Sequence, residues 1–285
     1  MHTRGHRASN GTLPDGQKSE DSNGLPPPNP GVRLVHTPDP GWRPGVKQPH
    51  PYPGTKMLQL SPEVEGVKMY PFVISAIVPR PIAFISSLSK EGKGNLSPYS
   101  YFNVMSHDPP YVTIGCAHTR GRPNHMKDSE QNLLETGEFT LNMMSEWFVE
   151  SANHTCGSYD RGVDELELAG LMPVPSVIVK PPRVAESVVQ LECKLRGTYE
   201  VKNTKGDSTG RIMIGEVVLV HVAEAVVNRS QEGKLTVDLA KYRPVSRLGG
   251  DSYARICEAY DLPRPDTFWQ AQGPTSAAAK AGHGG

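Results

Sequence analysis

Residues 95–115 read NLSPYSYFNVMSHDPPYVTIG. The second part, Tyr111-Val112-Thr113-Ile114-Gly115, is an ordinary β run. The first part sets three aromatics, Tyr99, Tyr101 and Phe102, among Asn95, Ser97, Ser100, Asn103 and Ser106. Flat apolar surfaces beside short hydrogen-bonding groups suit a flat amphipathic ligand. A partly buried strand whose hydroxyls bond to local backbone would have the same composition.

Outward from this stretch, the chain reads as strands and hairpins. Residues 82–88 form a strand candidate, and Glu91-Gly92-Lys93-Gly94-Asn95 has the chemistry of a turn. Residues 95–106 then predict a second strand and 111–117 a third, after Asp108-Pro109-Pro110. Residues 127–135 predict a helix that Asp128 or Ser129 can cap and Gly137 can close. Residues 138–143 alternate as a strand, and 146–155 and 163–169 suggest short helices. Residues 189–196 alternate apolar and polar with a period of two, and 211–227 are a long β-branched run. The fold class predicted is mainly β, an antiparallel β-barrel with flanking helices.

Composition bounds the function. The chain has 285 residues, with 30 basic and 30 acidic side chains. Zero net charge gives no electrostatic case for nucleic acid or an anionic membrane. No apolar run reaches the ~20 residues of a membrane span, and no apolar signal segment opens the sequence. These features predict a cytoplasmic protein. Residues 1–56 and 265–285 read as tails too poor in apolar residues to offset their ordering entropy. Pro26-Pro27-Pro28-Asn29-Pro30 within the first favours extended geometry. The folded domain is expected over residues 57–264.

Several chemistries find little support. Cys116, Cys156, Cys193 and Cys257 form no C-x-x-C pair, and the core histidines His107, His118, His125, His154 and His221 no H-x-x-x-H, so no metal site is predicted. Residues 206–210, GDSTG, match a hydrolase pattern, but that motif needs a strand-to-helix turn. Here it lies between two β-rich runs, leaving a hydrolase built on Ser208 as a remote alternative. A third class is an interaction protein that works through its proline-rich tail. Lys127-Asp128-Ser129 is more informative. A helix N-terminus offers free N–H groups and a positive dipole end, and Lys127 with Arg120 and Arg122 could add charge-assisted bonds to an anion.

An ordered series of pieces carries a resemblance: VPRPIAFISS at 78–87, NLSPYSYFN at 95–103, DPP at 108–110, KDS at 127–129, ETGEF at 135–139, DELELAGL at 164–171 and RLGG at 247–250. Together they resemble the flavin reductase-like, FMN-binding split-barrel family, near its flavoredoxin group. The resemblance implies a six-stranded antiparallel Greek-key barrel, usually a homodimer, with FMN bound non-covalently. By it, Asn95, Ser97, Ser100, Tyr101, Phe102 and Asn103 lie along the flavin, with Ser86 and Ser87 as weaker candidates. Lys127, Asp128 and Ser129 would hold the phosphate, with Arg120 as a further contact.

The function expected is NAD(P)H-dependent flavin reduction, with hydride passing from nicotinamide to flavin N5. NADH or NADPH would be the co-substrate. A small-molecule acceptor or a partner oxygenase would then take the electrons. No catalytic side chain is named, because hydride transfer between stacked rings needs no acid or base. The alternative is an FMN-binding electron carrier or sensor without turnover.

Overall fold

A computed structural model of the chain describes residues 31–64, 66–119, 121 and 125–264. Its centre is an antiparallel sheet of seven strands. These are β1 (Ala83–Leu88), β2 (Gly94–Tyr99), β3 (Phe102–His107), β4 (Pro110–Ala117), β5 (Glu138–Met143), β6 (Val189–Lys202) and β7 (Ser208–Val222). They lie in the order β2-β1-β5-β6-β7-β4-β3.

The two edge strands of this sheet are neighbours in sequence. Only Ser100 and Tyr101 separate β2 from β3. The stretch that reads as one strand is therefore one strand in two halves. Its first half pairs with β1, from Ala83↔Tyr99 to Leu88↔Gly94. Its second half pairs with β4, starting at Phe102↔Ile114. The Gly115 N–H donates to the Tyr101 carbonyl at 2.7 Å, right at the change of partner. Counted this way the sheet has the six strands of a split barrel, closed through the chain itself at Ser100–Tyr101.

Alternation places the core. Ala83, Ile85, Val112, Ile114, Phe139, Leu141 and Met213 point inward and pack in one cluster. The other face of β1 is also covered: Phe84 and Ile82 pack with Leu96, Met144, Phe148 and Leu166. That double burial explains why AFISS is an unbroken run and does not alternate. At Gly215 on β7 a Cβ would sit 2.5 Å from Phe139 Cζ, and Phe139 is inaccessible to solvent. Gly215→Ala is expected to cost about 1–3 kcal/mol through overpacking, read as a lower urea midpoint. An unchanged midpoint would mean that the Phe139 ring yields without cost.

Helix α1 (Met69–Ala76) precedes the barrel, and α2 (Asp128–Thr136) crosses from β4 to β5. Gly137 closes α2 in the left-handed region at φ 72°, as the sequence predicts. The start differs from expectation. Lys127 is the N-cap residue, and no side chain caps the helix. Asp128 and Ser129 lie one and two positions inside it. The buried face of α2 is polar: Asn132 donates to Ser87 at 3.1 Å and Asn95 to Ser129 at 2.7 Å. Glu130, also buried, lies 3.2 Å from His118 Nε2 and 3.1 Å from Arg211 Nε. These bonds fix the helix start over β2 and the ends of β4 and β7.

Helices α3 (Val149–His154) and α4 (Glu165–Leu168) follow, the second capped by the Asp164 carboxylate. The Glu192 carboxylate on β6 accepts from the N–H groups of Val177, Ile178 and Val179 at 2.8, 2.6 and 2.9 Å. His221 Nε2 lies 2.7 Å from Oε1, the oxygen that also accepts from Val177.

Two readings shift and one holds. The long run expected at 211–227 begins at Ser208 and ends at Val222, before a 3₁₀ turn at Glu224–Val226. Ser208 opens β7 after a hairpin turn, where no strand-to-helix elbow exists for a nucleophile. Within the segment read as an N-terminal tail, Arg33–Leu34 pairs in parallel with Glu258–Ala259. Residues 36–56 carry no helix or strand and are mostly exposed.

Candidate functional site

Two joined chambers open where β2 meets the N-terminus of α2. The smaller, about 110 Å³, is polar, with Asn95, Ser97, Lys127, Asp128, Ser129 and Thr155 in its wall. The larger, about 270 Å³, is lined by Tyr70, Ile82, Ser100, Tyr101 and others. Tyr99, Lys127 and Cys156 belong to both walls, so the two form one cleft with a polar end and an aromatic end.

The polar end has the makings of an anion site. The first N–H groups of α2 have no acceptor within the helix, and the dipole there favours negative charge. Lys127 Nζ stands 5.2 Å from the centre of the Tyr99 ring and forms no ion pair with a described carboxylate. The two carboxylates of this chamber are already engaged. Asp128 lies 3.5 Å from Arg161. Glu165 accepts from the Leu96 N–H at 2.9 Å, and burial pushes its pKa up. The Tyr99 hydroxyl is buried close to Ser129 without a hydrogen bond of acceptable geometry. Burial drives its pKa well above the usual phenol range.

Of the residues predicted from sequence, Asn95, Ser97, Lys127, Asp128 and Ser129 meet at the polar end, and Ser100 and Tyr101 at the aromatic end. Ser129 is buried, its Oγ accepts from Asn95, and its O–H and backbone N–H remain as donors. Phe102 packs partly against the core, and with Asn103 it lines an apolar groove of about 480 Å³ that shares Tyr101, Gly115 and Ala117 with the aromatic end. The side chain of Asn103 is turned onto the Val104 N–H at 2.8 Å. The bend sets this division: past Ser100–Tyr101 the chain changes partner, and the next side chains line the adjoining groove. Ser86 and Ser87 are buried under α2 and line neither chamber. Arg120 lies outside the described residues.

Sequence reasoning missed several residues of the cleft. Arg80 is buried and donates to the carbonyls of Ile74, Ile77 and Leu248, tying α1 and the C-terminal loop together behind the aromatic end. The signal was the Pro-Arg-Pro run, where a charged residue sits in an otherwise apolar segment. Thr155, Cys156, Gly157 and Ser158 form a loop over the polar end. Tyr70 and Tyr253 line the aromatic end from far along the chain, where no local pattern marks them, and Arg247, in the RLGG piece, joins them there. Among the described residues no helix is long and apolar enough to cross a membrane, and no His/Cys/Asp/Glu group could hold a metal.

Comparison with known proteins agrees with this architecture. The family model described as flavin reductase like domain matches residues 75–243. The uncharacterized protein YwrF of Bacillus subtilis is 37% identical over 196 residues, 69% of this chain and 93% of its own. Nitrilotriacetate monooxygenase component B from Bacillus cereus superposes with a TM-score of 0.66 at 32% identity, covering 73% of this chain and all of that one (100%). The 2-nitrobenzoate 2-nitroreductase NbaA of Pseudomonas fluorescens gives 0.62 at 29% identity, covering 74% and 98%. Flavoredoxin of Desulfovibrio vulgaris, at 20% identity and a TM-score of 0.54, shares the fold. The chain belongs to the flavin reductase-like family, the split-barrel flavoproteins with oxidoreductase function.

Proposed function

We propose that the chain binds FMN non-covalently in the two-chambered cleft and works as an NAD(P)H-dependent flavin reductase. The observation that carries this reading is the junction of a polar, cation-bearing chamber with an aromatic one through Tyr99 and Lys127. A phosphate fits the polar end, where Lys127 pairs with no described carboxylate and α2 presents its first N–H groups. A planar ring system fits beside Ser100, Tyr101 and Ile82. When bound, FMN supplies the hydride-accepting chemistry, at N5. The chain's own residues bind and orient. Lys127 holds charge at one end, Arg80 keeps α1 and the loop near Leu248 in place, and the 155–158 loop covers the polar chamber.

The similarity to component B of a monooxygenase and to a nitroreductase supports an oxidoreductase that passes electrons onward. A homodimer is part of the proposal. Val104 and Met105 on the edge half-strand β3 are more than half exposed, which suits burial against a second copy.

The test is the visible spectrum of the purified protein, followed by heat release of the ligand. Yellow protein that releases FMN and is bleached by NADH or NADPH is the expected result. FMN without bleaching would leave a carrier or sensor. Colourless protein that takes up no added FMN would end the reading.

A further inference from the structure

The aromatic chamber carries three cations, Arg80, Lys127 and Arg247, and no carboxylate. Arg80 is used up by three backbone carbonyls. Lys127 is accounted for by the phosphate reading. Arg247 is not accounted for. It sits on the hairpin Val245–Arg247/Tyr253–Arg255, half-buried, with its guanidinium over the Tyr253 ring at 4.5 Å. One of its N–H groups donates to the Gly250 carbonyl at 2.8 Å. Asp251 is near Tyr253 but outside ion-pair reach of Arg247. Charges withdrawn from water are normally paired. Stacking on a ring fixes the guanidinium plane and leaves its edge available to an oxyanion.

Tyr70, Ile74, Arg247 and Tyr253 complete the wall of the aromatic chamber. An oxidised flavin ring is neutral and would not compensate Arg247.

We propose that Arg247 recognises the anionic group of the reacting substrate, a planar molecule carrying a phosphate or carboxylate that enters the aromatic chamber beside Tyr70 and Tyr101. This rests on the FMN reading. The shared chemistry is an oxyanion received by a stacked guanidinium. Its source is either the pyrophosphate of a nicotinamide dinucleotide or the carboxylate of an aromatic acid.

The experiment uses the full chain and its Arg247→Gln and Arg247→Lys variants. Each is first titrated with FMN, then the loaded protein with NAD⁺ and with benzoate, neither of which is reduced by it. The FMN affinity of each is measured first, and the anion titrations are then made at FMN saturation for that variant. At least one of the two anions should bind Arg247→Gln about tenfold more weakly than wild type, with Arg247→Lys in between. A loss confined to NAD⁺ assigns the pyrophosphate, and one confined to benzoate the carboxylate. Binding of the wild type should also weaken as salt rises, which tests the charge even if Arg247→Gln does not fold. Equal anion binding by wild type and Arg247→Gln overturns the inference, as does a wild type that takes up FMN but neither anion. A shifted FMN reduction potential with unchanged anion binding would also overturn it, assigning the charge to the cofactor. Failure of the wild type to take up FMN would instead sink the proposed function, and this inference with it.

Discussion

Lys127→Ala is expected to bind FMN about ten- to a hundredfold more weakly than wild type, while its affinity for riboflavin stays the same. The range follows from one lost charge-assisted hydrogen bond, worth roughly 1.5–3 kcal/mol. Riboflavin is the control because it has the ring system and lacks the phosphate. Lys127 borders both chambers and stands over the Tyr99 ring, so it could in principle serve either end of the cleft. Fluorescence titration with the two ligands separates these roles. Equal weakening of both would place Lys127 at the ring. Unchanged FMN affinity would remove the phosphate from the start of α2.

Glu192→Ala is expected to cost about 3–5 kcal/mol of stability, the scale for breaking a buried, fully bonded ionic group. Three N–H groups and the His221 ring lose their acceptor at once. Burial alone would raise the Glu192 pKa. The bonds from Val177, His221, Ile178 and Val179 outweigh it and lower the value to about 2. The sign follows from the depressed folded value. The contribution is fully present above the unfolded value near 4.5 and is lost as pH falls toward about 2. The gap between wild type and Glu192→Gln should therefore narrow on acidification through this window. Urea denaturation at about pH 6 and at about pH 3 measures it. A gap that stays constant would mean that the carboxylate charge contributes nothing.

Much of the fold was legible because it follows local rules. The turn at Glu91–Asn95, the helix ending at Gly137 and the alternating strand at 189–196 each carry their own punctuation. The polar end of the cleft was legible for a related reason. Asn95, Ser97 and Lys127–Ser129 lie in two short segments with recognisable chemistry. The break at Ser100–Tyr101 was not. No glycine or proline marks it, and it exists because β2 and β3 must pair with strands on opposite edges of the sheet. The aromatic end was half hidden for the same kind of reason. Tyr70, Arg80, Arg247 and Tyr253 converge from more than 180 positions apart (253 − 70 = 183). Only tertiary packing joins them.

The bend at Ser100–Tyr101 has one more consequence. The same two residues close the barrel and line the aromatic chamber, so opening the seam and emptying the chamber are linked equilibria. A molecule that fills the chamber must slow the local opening of the seam by as much as it prefers the closed form. The Gly115 amide, held by the Tyr101 carbonyl at 2.7 Å, sits on that seam. Its hydrogen–deuterium exchange rate is thus a built-in gauge of occupancy, readable without any catalytic turnover.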